Sequence, residues 1–238
     1  MKKTVIFCSV VVAFALIVCA AILVKPHIVL RNASGVRVKG TAVARVQSDA
    51  MEWSASLSSG LKPTIKEAVC QAEKDAAFAK ELFAKNKLDD VKFSMARWYV
   101  TYKKTDGKET NEIEGYTASI SMSLNPKTQE QAKKLSECIS QLMKNDISAY
   151  DNGTRYYYTK LESLKMDLLE KAAANAKERA QKLVSGSGSG LGGVISASQG
   201  VFQITEPLST DTSDWGAYDT TTYEKDVKCV VTMEFATK

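Results

Sequence analysis

The chain offers few residues with the spacing that chemistry needs. Gly188, Gly190 and Gly193 satisfy the pattern GxGxxG. A dinucleotide site needs that loop after a strand and before a helix, so that amides at the helix start face the phosphates. Here an Ala-rich helical stretch precedes the glycines and a β-branched stretch follows them, so the pattern reads as a helix C-cap and turn. Glu112 with Glu114, and Asp89 with Asp90, lie in polar segments with no sign of a shared cleft. Asp211, Asp214 and Asp219 lack the Gly-centred spacing of a calcium loop. His27 is the only histidine, which removes any His-based triad from the rest of the chain and makes a typical zinc site improbable. No nucleophile, base and orienting group can be assembled, so we expect no enzyme activity and neither cofactor nor metal. Converging carboxylates in a deep cleft would revive a hydrolase reading.

Two aromatic residues are better placed for recognition. Trp215 and Tyr218 fall in a long polar stretch, residues 206–221. Aromatics in such loops often mark contact surfaces. The alternative is that both fold back onto the domain.

The elements that must position these residues follow from periodicity. Residues 4–24, bounded by Thr4 and Val24, contain no charge and are long enough to cross a bilayer as a helix. Lys2 and Lys3 precede the run and Lys25 follows it, so we expect a cytoplasmic N-terminus and an exported, periplasmic or extracytoplasmic remainder. A cleaved signal peptide usually has a shorter apolar core, which favours a retained single-pass anchor in the cytoplasmic membrane. Residues 1–30 thus read as anchor and linker, and 31–238 as one domain.

Within that domain, residues 36–46 and 51–57 read as strands, and 63–85 as a helix starting at Pro63 with Ile65, Val69, Ala72, Ala76 and Ala79 inward. Residues 91–102 and 116–124 read as a strand and its return, joined by a turn at Asp106-Gly107 and a polar loop reaching Gly115. Asn125 and Pro126 open a second helix with Ala132, Leu135, Ile139 and Leu142 inward. A short strand holds Tyr156. A third helix, 161–184, turns Leu161, Leu164, Leu168, Ala172, Ala176, Ala180 and Leu183 inward. Residues 190–204 and 223–235 complete the strands. The expected class is α+β, with antiparallel sheets and three main helices on one face, preceded by the N-terminal transmembrane helix.

Composition adds limits. Lys plus Arg total 32 and Asp plus Glu total 27, with Lys2 and Lys3 accounting for part of the excess, which is too little for a nucleic-acid partner. Cys70, Cys138 and Cys229 read as small buried thiols, with a Cys70–Cys138 bridge open if their helices adjoin.

Several segments resemble the SIMPL family of bacterial envelope proteins. Val36-Arg37-Val38-Lys39-Gly40-Thr41-Ala42 is similar to its opening I-x-V-x-G-x-G strand, with Ala42 at the second glycine, and Ser48-Asp49 stands where Pro-Asp is common. Gly115-Tyr116-Thr117-Ala118-Ser119 resembles its G-Y-x-A-S strand, and residues 172–180 its Ala-rich helix with Arg179. Gly200–Ile204 and Glu224–Val227 resemble a membrane-anchored subgroup. The resemblance covers residues 35–237 and implies an exported α+β domain that assembles with copies of itself, a link to envelope stress protection, and no catalytic residues. A small-molecule ligand stays open.

Overall fold

The structure is a computed structural model and describes residues 16–20 and 35–238. The apolar run of residues 4–24 lies outside the described residues except for 16–20, which are helical. Among the described residues no helix is long and apolar enough to cross a membrane. His27 and Cys8 also lie outside them.

The elements run β1 (Gly35–Gln47), β2 (Ala50–Ser58), α1 (Ile65–Lys85), β3 (Lys92–Phe93), β4 (Arg97–Thr105), β5 (Lys108–Leu124), α2 (Gln129–Lys144), β6 (Ala149–Tyr157), α3 (Leu161–Gly186), β7 (Leu191–Gln199), β8 (Gln203–Thr205), β9 (Ala217–Tyr218) and β10 (Glu224–Thr237). They form a mixed α+β fold with two sheets. In the first sheet β10 is central, with β1 on one side and β7 and β8 in succession on the other, and β9 adds to β8 in parallel. In the second, β5 and β2 are central, flanked by β6 and by β3 and β4.

The expectation of three helices on one face needs correction. α1 and α2 pack on the second sheet, and α3 alone packs on the first, against β1 and β10. The apolar interior is divided to match. One core gathers Trp53, Phe83, Met122, Leu135 and Leu142, and the other Leu168, Ala172, Ala176, Val227 and Phe235. The chain passes from one sheet to the other within two residues, Ser48 and Asp49, so β1 is assigned to the sheet built otherwise from the C-terminal third.

Both crossing residues are bonded. The Ser48 N–H donates to the Tyr223 carbonyl at 2.9 Å, a bond that proline at this position could not make. Asp49 accepts from the Thr159 N–H at 2.7 Å and its hydroxyl at 2.8 Å. That puts a carboxylate beside the start of α3, whose N-cap residue Lys160 makes no side-chain capping bond.

Local details depart from the sequence reading in consistent ways. Pro63 and Pro126 do not start helices. The caps are Thr64 and Thr128, whose hydroxyls accept from the Glu67 and Gln131 amides at 3.2 and 3.1 Å. Both belong to Thr-x-x-Glu/Gln capping sequences. The strand expected over 91–102 is broken at 94–96, and the supposed loop reaching Gly115 is strand. Asp106 and Gly107 both take positive φ, 52° and 77°, so the turn is tight and β4 and β5 form a long hairpin. Leu183 is 60% exposed, and Val184 takes its inward place. From Leu168 to Val184 the buried positions of α3 step by four, so the stripe drifts around the helix by about 40° per step. Cys70 is exposed and Cys138 buried, both as free thiols, which removes the open bridge and corrects the buried reading for Cys70. Burial pushes the Cys138 and Cys229 thiols above their usual range.

α3 reaches the sheet through one position. A Cβ on Gly40 would sit 2.1 Å from the Ala172 carbonyl oxygen and 2.6 Å from the Ala176 nitrogen. Ala172 and Ala176 are fully buried, so the helix backbone rests on the strand backbone. Gly40→Ala therefore forces α3 off β1, at a cost of about 3 kcal/mol or more. Gly193→Ala is the control, because its Cβ meets open space. Chemical denaturation compares them, and a Gly40→Ala midpoint equal to wild type would contradict the packing described.

Candidate functional site

The stretch between β8 and β10 is the surface on which the sequence places its candidate contact residues. Its base is tied at several points. The buried Gln203 side chain donates to the Ser213 carbonyl at 2.7 Å and accepts from the Ser213 amide at 3.2 Å. The Asp219 amide donates to the Ile204 carbonyl at 2.8 Å, which seats β9 along the outer edge of β8. Gly216 takes φ 89°, and a Cβ there would lie 3.0 Å from the Phe202 carbonyl, so glycine is required at that turn. Asp226 accepts from the Leu208 amide and from the Arg45 Nε and Nη2 at 2.8 and 3.0 Å. Its hydrogen bonds from Arg45 hold the Asp226 carboxyl below the usual carboxylate range.

The strongest tie is a buried ion pair. Lys225 is fully buried, and its ammonium donates to the Asp219 carbonyl at 2.7 Å, the Asp219 carboxylate at 3.2 Å and the Thr222 carbonyl at 2.7 Å. All three N–H groups are used, which is the condition for keeping a charge inside. Asp219 also accepts from the amides and hydroxyls of Thr221 and Thr222. Burial alone would raise its pKa, but hydrogen bonds from Thr222, Thr221 and Lys225 outweigh it and hold the carboxyl far below the carboxylate range.

This framework treats the two aromatics differently. Trp215 is 95% exposed, so it does not fold back. Tyr218 is 46% exposed and lines an open cavity of about 300 Å³ with Ile204, Glu206, Asp211 and Thr221. The two rings make no stacking contact with each other. Sequence reasoning missed a second aromatic surface on the β4–β5 hairpin, where Trp98, Tyr99, Tyr102 and Ile113 are 49%, 55%, 41% and 50% exposed. Asp106-Gly107 was its signal, since a tight turn there extends both strands.

The acid and glycine motifs do not assemble into a site. Glu112 pairs with Lys103 on the hairpin, Asp89 and Asp90 are exposed, and Asp219 is held by Lys225. Among the described residues no group of three or more metal-ligating side chains is gathered. Gly188, at φ 78°, follows the end of α3 and precedes β7, so no helix start faces that loop. A cleft of about 600 Å³ between α2 and β6 is lined by Glu130, Lys133, Ser136, Tyr156 and Thr221, and its Glu130 is hydrogen-bonded to Lys134.

The family model SIMPL, described as a protein of unknown function (DUF541), matches residues 36–235. This chain belongs to the SIMPL family. No curated protein matches it. The matched span begins one residue into β1 of the SIMPL domain and ends two residues before the end of β10, so it takes in both sheets and all three helices.

The ion pair makes a pH prediction. The folded pKa of Asp219 is lowered, so its contribution is fully present above the unfolded value of about 3.9 and is lost as pH falls below it toward the folded value. A melting-temperature series from neutral to acid should fall more steeply for wild type than for Asp219→Asn. Lys225→Met at neutral pH should cost about 3–5 kcal/mol, since Asp219 keeps its burial without its cation. Parallel pH curves would show that the pair contributes nothing.

Proposed function

We propose that this SIMPL protein is a non-enzymatic envelope protein, tethered to the cytoplasmic membrane by residues 4–24, whose extracytoplasmic domain assembles with copies of itself. The observation that carries the reading is the exposed, uncharged margin of the first sheet at β7. Val194, Ile195 and Val201 are 55%, 46% and 43% exposed along one margin of the first sheet. Exposed apolar side chains on a sheet margin that no other strand covers suit an interaction site. The charge-free run with its flanking lysines supports the tether and the exported side. A role in envelope stress protection follows from the family resemblance alone.

A second reading has its own observation. The tied base of residues 206–223 holds Trp215 out in solvent, which suits capture of an envelope glycan, lipid or partner protein.

Two measurements separate these readings. Full-length protein in mild detergent should sediment as one species larger than a monomer, and a monomer at every soluble concentration would sink the assembly reading. Trp215→Ala and Tyr218→Ala should change stability by less than about 0.5 kcal/mol. If either abolishes binding to envelope extracts while assembly persists, the loop is a binding site, and unchanged binding removes that reading.

A further inference from the structure

The first sheet has margins treated in opposite ways. At β1, α3 meets the middle of the edge. Arg179 donates to the Lys39 carbonyl at 3.0 Å, and the Asn175 side chain accepts from the Thr41 amide at 3.1 Å. On the far margin β9 closes the edge of β8. β7 has no such cover. It pairs with β10 alone, and residues 193–199 are exposed.

Which β7 groups stand open follows from the ladder. Gly200 donates to the Val230 carbonyl at 2.9 Å, so in this antiparallel pair residues 198 and 196 also turn their backbone groups toward β10. Ala197 and Gln199 then turn their N–H and C=O outward, and no described residue meets them. A bulge disturbs the ladder near Val194 and Ile195 but leaves 196–199 regular. Two of the usual edge guards are missing over 196–199, since residues 183–205 contain no charge and no proline and the bulge lies to one side.

We infer that the β7 edges of two copies pair antiparallel about a two-fold axis, joining their first sheets into one. The open groups offer a template for an extended backbone. β7 carries no charge, so a second copy can lie antiparallel to it in any register without opposing like charges. The hairpin edge β4 shows the contrast, because Arg97, Lys103 and Lys104 would oppose their own kind there. Antiparallel self-pairing is also isologous, so it closes on itself and does not propagate as a fibre. This seam rests on the assembly reading and names its surface.

Ala197→Pro removes one outward N–H without touching the β10 ladder, and Ala197→Lys places a charge beside its symmetry mate. Full-length wild type and both variants are sized in mild detergent across a dilution series, with thermal melting to show that each is folded. The expected result is melting near wild type and a dissociation constant raised about tenfold or more for the β7 contact. Folded variants that keep the wild-type size and dilution profile overturn the seam while leaving assembly standing. A monomeric wild type overturns both. Should the proline variant fail to fold, the lysine variant decides.

Discussion

The fold depends on the contact of α3 with Gly40. A side chain at that position would occupy the space of the Ala172 carbonyl, so strand and helix backbones touch. Buried alanines at 172, 176 and 180 give the helix the flat face that such an approach needs. Two consequences follow from the same closeness. The second core forms between α3 and the β1–β10 pair, and Asn175 and Arg179 come within reach of the outer edge of β1. A helix held farther away would bury the apolar stripe less well and leave that edge open. Gly40 therefore governs both stability and which margin of the sheet is available to partners.

The other fixed point is the buried Lys225–Asp219 pair. It contributes no chemistry, because every donor of the ammonium is engaged with the loop. Its role is to make an eighteen-residue connection behave as a rigid platform, with β9 closing β8 and Trp215 held outward. β9 finishes the β8 margin and α3 meets two backbone groups of β1, whereas β7 has neither device. In the second sheet Trp53 fills the comparable central place, donating to Asp151 at 3.0 Å and meeting Phe83 edge-to-face at 6.0 Å.

Much of this was legible in the residues. The buried stripes of α2 and most of α3 follow from helical spacing, and the Gly40 and Ala-rich segments carried the family resemblance. What failed did so for identifiable reasons. Prolines drew attention away from Thr64 and Thr128, although both sit in capping sequences that give the correct starts. Residues 108–115 are polar because the hairpin is solvated on both faces, so hydropathy alone gives them the look of a loop. That α3 packs on a different sheet from α1 and α2 could not be read from element order, since the pairing of β1 with β10 spans nearly the whole domain. The Lys225 pair was invisible because nothing in the spacing of a lysine and an aspartate tells that both are buried. The open edge was equally hidden, since an uncharged strand reads the same whether central or marginal.

Amide hydrogen exchange on the full-length protein in detergent tests the central claim most directly, comparing assembled and diluted samples. Thr41 should be protected in both, because Asn175 holds its amide within the monomer. Ala197 and Gln199 should be protected when the protein is assembled and should exchange as an open strand after dilution. Open-strand exchange at Ala197 and Gln199 in the assembled protein, or protection there that persists in the monomer, would contradict pairing of β7 between copies.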